Sequence, residues 1–508
     1  MTAPGAEARS GTSPAELTKF PSKVKVSPLT CSEAGASPAK TALLHGRIAW
    51  NRDLFAKPRP LWQGGPRIAA FRPSRLAEKA IGGRSCCAGE WVEESAMTAT
   101  SLPLADWAAM AIFAATYLLV ALGRLPGFRI DRAGIAFLGA TLMVASGAIG
   151  REEAYRAIDL DTIVLLLGMM IVVAGLRLAN GFELIAVEAV RRARHPLLLL
   201  AAVILLSGLL SAFLVNDTVC LVLTPIILET VRHLERDPRP YLLATAMASN
   251  IGSVATITGN PQNMIIGSLS HIPYLTFVRA LAPVAVAGLL LLYGVIVLAY
   301  RREFFTRAPL ATVPSSPRIL PPLLRKTALI IAALIIGLFA GVPPALAAAL
   351  AGAFTLLTRR LKAWRFYAEV DGALLVLFGG LFVVVAGFQN RILDAAAPDL
   401  LRLLPFAHPA PLALLTAILS NVVSNVPAVL ILRPFIAPLA DPAHAWLVVA
   451  MASTLAGNFT ILGSVANLIV VQRAAAAGID ITFWTYFRLG APITLLTLGL
   501  GTLFLAWG

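Results

Sequence analysis

Charge is scarce in this sequence. Only 14% of its 508 residues are Asp, Glu, Lys or Arg, against about 25% in ordinary soluble proteins. That deficit excludes a water-soluble globule of standard build, a coiled coil and a disordered chain. Cysteine is scarce too. Of the four, only Cys220 lies in the apolar body, and Cys31, Cys86 and Cys87 precede it, so a disulfide framework is excluded. There is no Gly-Lys dipeptide, hence no phosphate-binding loop and no self-contained ATP motor. A His-Glu-x-x-His pair is also missing, as is any metal or nucleophile cluster that a membrane-embedded enzyme would need. His195, His233, His271 and His408 fall at the ends of apolar segments, which suits solvated interface positions better than metal ligation.

Apolar residues dominate, at 58% of the chain. Runs of 15–20 of them recur from residue 105 onward, the pattern of a polytopic helical membrane protein. Spans are predicted at 105–123, 133–150, 160–178, 240–269, 279–300, 327–342, 344–358, 372–389, 444–472 and 485–507. Two further apolar stretches, 197–230 and 411–438, are broken in the middle by LVNDTV and VVSNVPAV. A bare break facing lipid leaves backbone groups unpaired, so it must face protein or water. Each stretch therefore reads as a re-entrant hairpin with its tip near the midplane. The spans at 240–269 and 444–472 are interrupted at ITGNPQN and ILGSVAN and read as unwound, discontinuous helices.

The net charge of +15 does not call for nucleic acid. Residues 1–96 hold 14 Lys/Arg and 8 Asp/Glu but no run able to span a bilayer. They read as a basic disordered tail, or as a segment upstream of a start at Met97. In the body, 22 basic residues fall in the loops on one side and 5 in those on the other. The positive-inside rule makes the first set cytoplasmic. Both ends of the body are then outside.

The second half repeats the first. DLDTIVLLLGMMIVVAGL at 159–176 aligns with DGALLVLFGGLFVVVAGF at 371–388, and SAFLVNDTVCLVLTPII at 211–227 with SNVVSNVPAVLILRPFI at 420–436. AMASNIGSVATITGNPQNMII at 246–266 aligns with AMASTLAGNFTILGSVANLIV at 450–470. The offsets run 212, 209 and 204, as short loop deletions produce. Each half holds five crossings and a hairpin, and five is odd, so the halves have inverted topology. The expected fold is an all-α membrane protein of two such inverted repeats. The first occupies 97–300, a cytoplasmic linker 301–326 and the second 327–508. Paired interrupted segments are the best sequence pointer to a transporter's binding site.

These four interrupted segments resemble the signature segments of the ion transporter superfamily. It includes arsenite permeases, sodium–proton antiporters and citrate and dicarboxylate carriers. The resemblance covers about residues 105–508 and looks closest to the arsenite permease-like anion transporters. It implies that one tip and one unwound stretch bind a coupling cation in each half, with substrate between them. The residues are Asn216, Asp217, Thr218, Ser424 and Asn425 at the tips, and Asn250, Asn260, Asn263, Asn458, Ser464 and Asn467 along the unwound spans. Helix–helix hydrogen bonding is the competing role for such a set. Dicarboxylate carriers carry Ser-Asn-Thr at both tips. Here the tips read Val215-Asn216-Asp217 and Ser424-Asn425-Val426, which argues against sodium–dicarboxylate chemistry.

Asp217 is the one acid deep in either hairpin, and an intramembrane acid marks function by default. It is suited to carry a proton or to ligate sodium. Arg433 either attracts an anion near the outer mouth or snorkels to the interface. The expected activity is secondary transport of a small inorganic or organic anion by alternating access in a cell membrane of the bacterial inner-membrane kind. Coupling is to H+ or Na+, with no cofactor and no nucleic-acid partner beside the lipid bilayer. A sodium–proton antiporter, a sodium-coupled dicarboxylate carrier and, in another class, an ion channel are the alternatives; a homodimer stays open.

Overall fold

The computed structural model describes residues 103–123, 127–305, 319–393, 406 and 408–507. All belong to the compact unit Ser95–Gly508. The expected tail at 1–96 lies outside the described residues, as does half of the 301–326 linker, residues 306–318. Among the described residues there are helices and turns and no strand.

Apolar composition and local caps set the helix ends. α1 (Leu104–Leu122) stops at Gly123, whose left-handed φ of 72° lets its N–H close on the carbonyls of Leu119 and Val120. α2 (Arg132–Ala145) starts at Asp131, which accepts from the Gly134 N–H at 2.9 Å. α3 (Arg151–Ala157) is a short surface turn before α4 (Leu160–Leu178). Asp159 caps α4 by accepting from the Thr162 N–H. Asp371 caps α15 (Gly372–Phe388) by accepting from Leu374, the same contact 212 residues on.

The remaining elements of the first half are α5 (Gly181–Arg192), α6 (Pro196–Phe213), α7 (Asn216–His233), α8 (Pro238–Ser253), α9 (Pro261–Ser270) and α10 (Tyr274–Ala299). α11 (Arg301–Phe304), α12 (Pro321–Phe339), α13 (Pro344–Leu356) and α14 (Ala363–Tyr367) lead to α15. Beyond it come α16 (Pro409–Val423), α17 (Asn425–Ile436), α18 (Pro442–Ala456), α19 (Val465–Ala476) and α20 (Phe483–Trp507). Single 3₁₀ turns at Ile257–Gly259 and Ile461–Gly463 interrupt the α8–α9 and α18–α19 segments.

Among the described residues seven helices are long and apolar enough to cross a membrane unaided. The expected spans at 133–150 and 344–358 fall short as helices. α2 has 14 residues and α13 has 13, about 20 Å each at 1.5 Å per residue. The reason for α2 is local: its chain turns at Gly147, φ 73°. α6 meets the length criterion although it was expected as half of a hairpin, because the polar break falls after it, at Leu214 and Val215. α5, an amphipathic helix ending in Arg191 and Arg192, was not expected. Leucines such as Leu205, Leu290, Leu329 and Leu495 stand more than 60% exposed, as lipid-facing side chains do and those of a soluble globule do not.

The halves interlock. α4 packs on α13, and α15 on α2. At the first crossing a Cβ on Gly168 would lie 2.4 Å from the Ala348 carbonyl oxygen. At the second, a Cβ on Gly380 would lie 2.6 Å from the Ala136 carbonyl carbon. Gly168 and Gly380 are 212 residues apart, as are Ala136 and Ala348. Small residues let membrane helices approach closely where lipid offers no hydrophobic drive. Pro225 in α7 and Pro434 in α17 also correspond, as do Pro283 in α10 and Pro492 in α20, both pairs at an offset of 209.

Candidate functional site

The broken segments meet in the middle of the molecule. The first tip turns at Leu214 and Val215, and the second at Ser424. Ser424 holds φ 80° and ψ 159°, a region that glycine alone visits freely. Such a residue costs about 1–3 kcal/mol and persists only where its surroundings over-determine it. The two 3₁₀ turns have matching entries and exits. Thr256 and Thr460 precede them, Asn260 and Ser464 follow, and all four are extended.

Behind the tips lies a buried hydrogen-bond lattice that repeats itself. Asn263 Nδ2 donates to the carbonyls of Ser253 (3.1 Å) and Thr256 (3.0 Å). Asn467 Nδ2 donates to those of Gly457 (2.7 Å) and Thr460 (3.1 Å). Every pair is 204 residues apart. Each turn is thus closed by an asparagine that satisfies the carbonyls freed where the helix unwinds.

The halves then brace each other. Asn250 Nδ2 donates to Asn467 Oδ1 at 3.0 Å and to Asn458 Oδ1 at 2.8 Å, while its Oδ1 accepts from Ser464 Oγ and Asn216 Nδ2. The corresponding residue is Thr454. Its Oγ1 accepts from Asn260 Nδ2 and Gln262 Nε2, both at 3.2 Å, and reaches Asn263 Oδ1 at 3.5 Å. Ser420 Oγ donates to the Ser453 carbonyl, and Ser249 Oγ to the Asn216 carbonyl, both at 3.1 Å. Asn425, with Nδ2 turned toward them, donates to the carbonyls of Ser453 and Gly463.

A cavity of about 220 Å³ opens in front of this lattice. Four helices begin on its wall: α7 with Asn216 and Asp217, α9 with Pro261 and Gln262, α17 with Asn425 and Val426, and α19 with Val465 after its cap Ser464. A helix N-terminus carries about half a positive charge and unpaired N–H groups. Four together make the cavity electropositive apart from the Asp217 carboxylate. The amide oxygens of Asn216 and Asn421, two residues on the wall, have no hydrogen-bond partner among the described residues. A second cavity of about 140 Å³ meets Asp217 from the other side and is lined also by Thr218, Arg177, Glu369 and Asp371. Arg177 and Glu369 form an ion pair at 2.5 Å there.

Of the residues singled out from sequence, Asn216, Asp217, Ser424, Asn425 and Ser464 therefore line the central cavity, and Thr218 lines the second. Asn250, Asn260, Asn263, Asn458 and Asn467 are fully or almost fully buried and form the lattice behind it. Arg433 is exposed and is not on the cavity wall. Sequence reasoning missed Thr454, Gln262, Asn421 and Arg132. Thr454 stood in plain view as the partner of Asn250 in the AMAS alignment, and Asn421 in the first Ser-Asn of LSNVVSN.

Residues 117–456 match the citrate transporter family, CitMHS, two thirds of the chain. The chain belongs to that family. Among similar proteins, this CitMHS member is 28% identical to the silicon efflux transporter LSI3 of Oryza sativa subsp. japonica, over 80% of this chain and 98% of that protein. It is 25% identical to the putative transporter arsB of Dictyostelium discoideum, over 73% and 86%. The solved structure of MtrF from Neisseria gonorrhoeae, described in a class of antimetabolite efflux pumps, shares its fold. The TM-score is 0.53 at 14% identity, covering 80% of this chain and 95% of that one. This CitMHS protein is a multi-pass membrane transporter.

Proposed function

We propose that this CitMHS protein is a secondary transporter of a small anion or oxyanion, driven by H+ or Na+ through alternating access. One observation carries the proposal: four helix N-termini, two from each half, open on a single central cavity. A small oxyanion neutralises their combined dipoles without a dedicated metal. Relatives named for silicon efflux and as arsB favour an inorganic oxyacid over a dicarboxylate.

Asp217 is the coupling residue in this reading. It lies on the wall of both cavities, so it is reached from the substrate site and from the side of Asp371 and Glu369. The interlocked crossings at Gly168 and Gly380 support a rigid frame of two inverted repeats, 97–300 and 327–508. Its crevices differ in depth. One reaches both tips past Arg132 and Leu377. The other, about 420 Å³, is framed by the corresponding Pro344 and Leu165 and ends at Gly267 and Ser268. Exchange of these two depths is how access alternates.

The test is uptake of labelled arsenite, silicate, arsenate, citrate and succinate into proteoliposomes under imposed proton or sodium gradients. Saturable, gradient-dependent accumulation of one of them is expected. Absence of transport for all, or flux that never saturates and ignores both gradients, overturns the reading.

A further inference from the structure

Among the described residues one arginine lines the central cavity, and nothing in the four-helix arrangement calls for it. Arg132 opens α2, is partly buried and lines the cavity with both tips. Its guanidinium packs over Gly123, where an added Cβ would lie 3.2 Å from Nε and 3.4 Å from one terminal nitrogen. Gly123 thus does two things. Its left-handed φ ends α1, and its missing side chain leaves the bay that the guanidinium fills.

Among the described residues Arg132 has no ion-pair partner. Its neighbour Asp131 is turned to the Gly134 N–H at the start of α2. The other arginine beside these cavities, Arg177, is held by Glu369. An arginine left unpaired on a partly desolvated wall keeps its charge and its five donors for something that comes and goes.

The repeat sharpens the contrast. The position corresponding to Arg132 is Pro344, and the crevice that Pro344 lines carries Asp161 and His271 instead. The two approaches to the tips thus differ in charge, although their frames correspond.

We infer that Arg132 is the charge-selecting residue of the substrate cavity, binding the anionic oxygens of a carboxylate or oxyanion on one side of the membrane only. The inference rests on the proposed function and assigns the recognition of charge to a residue outside the tips and the unwound turns. The dipoles hold any small polar solute with acceptor oxygens; Arg132 favours the ionised ones.

The experiment compares wild type, Arg132→Gln and Arg132→Lys in proteoliposomes. Citrate and arsenate serve as charged probes, and arsenous and silicic acids as probes uncharged near neutral pH. Arg132→Gln should raise KM for a transported charged probe about tenfold or more, the scale of a charge-assisted hydrogen bond. Arg132→Lys should fall between, because it keeps the charge and loses the planar fork. KM for a transported uncharged probe should stay at the wild-type value, which also reports that the variant is folded and inserted. Unchanged KM for charged probes in Arg132→Gln overturns the inference and leaves the transporter reading standing. So does an equal rise for charged and uncharged probes. A wild type that carries uncharged acids alone overturns the inference and the reading of the substrate as an anion, and leaves secondary transport standing. A wild type that transports none of the four overturns the transporter reading and the inference with it.

Discussion

The two hairpin tips have the same architecture and opposite chemistry. At the first, Val215 leads into Asn216 and Asp217 with ordinary backbone angles. At the second, Ser424 leads into Asn425 and Val426 from a left-handed conformation. One tip carries the charge and the other the strain. Behind them the lattice is nearly the same on both sides, down to which carbonyls Asn263 and Asn467 donate to. The corresponding elements keep their geometry where packing demands it and differ on the cavity wall.

The largest effects should come from breaking what the halves share. Gly168→Leu and Gly380→Leu each drive a side chain into a backbone less than 3 Å away. Overpacking ordinarily costs about 1–3 kcal/mol, and backbone cannot move aside as a side chain can. Both variants should lose the monodisperse peak in detergent size-exclusion chromatography, to a similar degree. A folded Gly380→Leu beside a lost Gly168→Leu would show that the crossings are not equivalent.

Next comes the difference in charge. Asp217→Asn keeps the shape and should abolish gradient-driven accumulation, while protein level and substrate exchange persist. Val426→Asp should not restore it, because the second cavity beside Asp217 is lined by residues of α4, α7, α15 and α19 and not by Val426. Accumulation by Asp217→Asn at the wild-type rate, with an unchanged response to pH and sodium, would make this carboxylate structural.

The lattice should respond more mildly and symmetrically. Asn467→Leu leaves the Gly457 and Thr460 carbonyls without their side-chain donor, and Asn263→Leu leaves that of Thr256, at about 1–3 kcal/mol for a buried one. The thermal midpoint in detergent should fall for both. Asn250→Ala should lower it more than Thr454→Ala, since Asn250 joins four side chains.

The smallest effect tests the strain. Ser424→Gly removes the penalty of φ 80° and should raise thermal stability by about 1 kcal/mol. Val215→Gly, where φ is −45°, should lower it. The orientation is checked separately with an impermeant maleimide on intact cells, in a background lacking native cysteines. His271→Cys should react and Lys362→Cys should not; the reverse would invert the membrane topology.

Sequence alone determined a good deal. Apolar runs placed the helices, because burial in lipid is read residue by residue along a local segment. Polar interruptions such as LVNDTV and ILGSVAN located the breaks, because unpaired backbone in a membrane needs partners nearby. Self-alignment then brought out which positions correspond. Only the tertiary structure decided what those positions touch. That α4 packs on α13 of the other half, and that Asn250 reaches Asn467 217 residues away, follow from helix packing, to which local hydropathy is blind. Arg132 shows the same limit. Counted along the chain, it was one of 22 basic loop residues and served only to orient the protein. Packed over Gly123, it stands on the wall of the central cavity, because the end of α1 and the start of α2 line the same cavity as both tips.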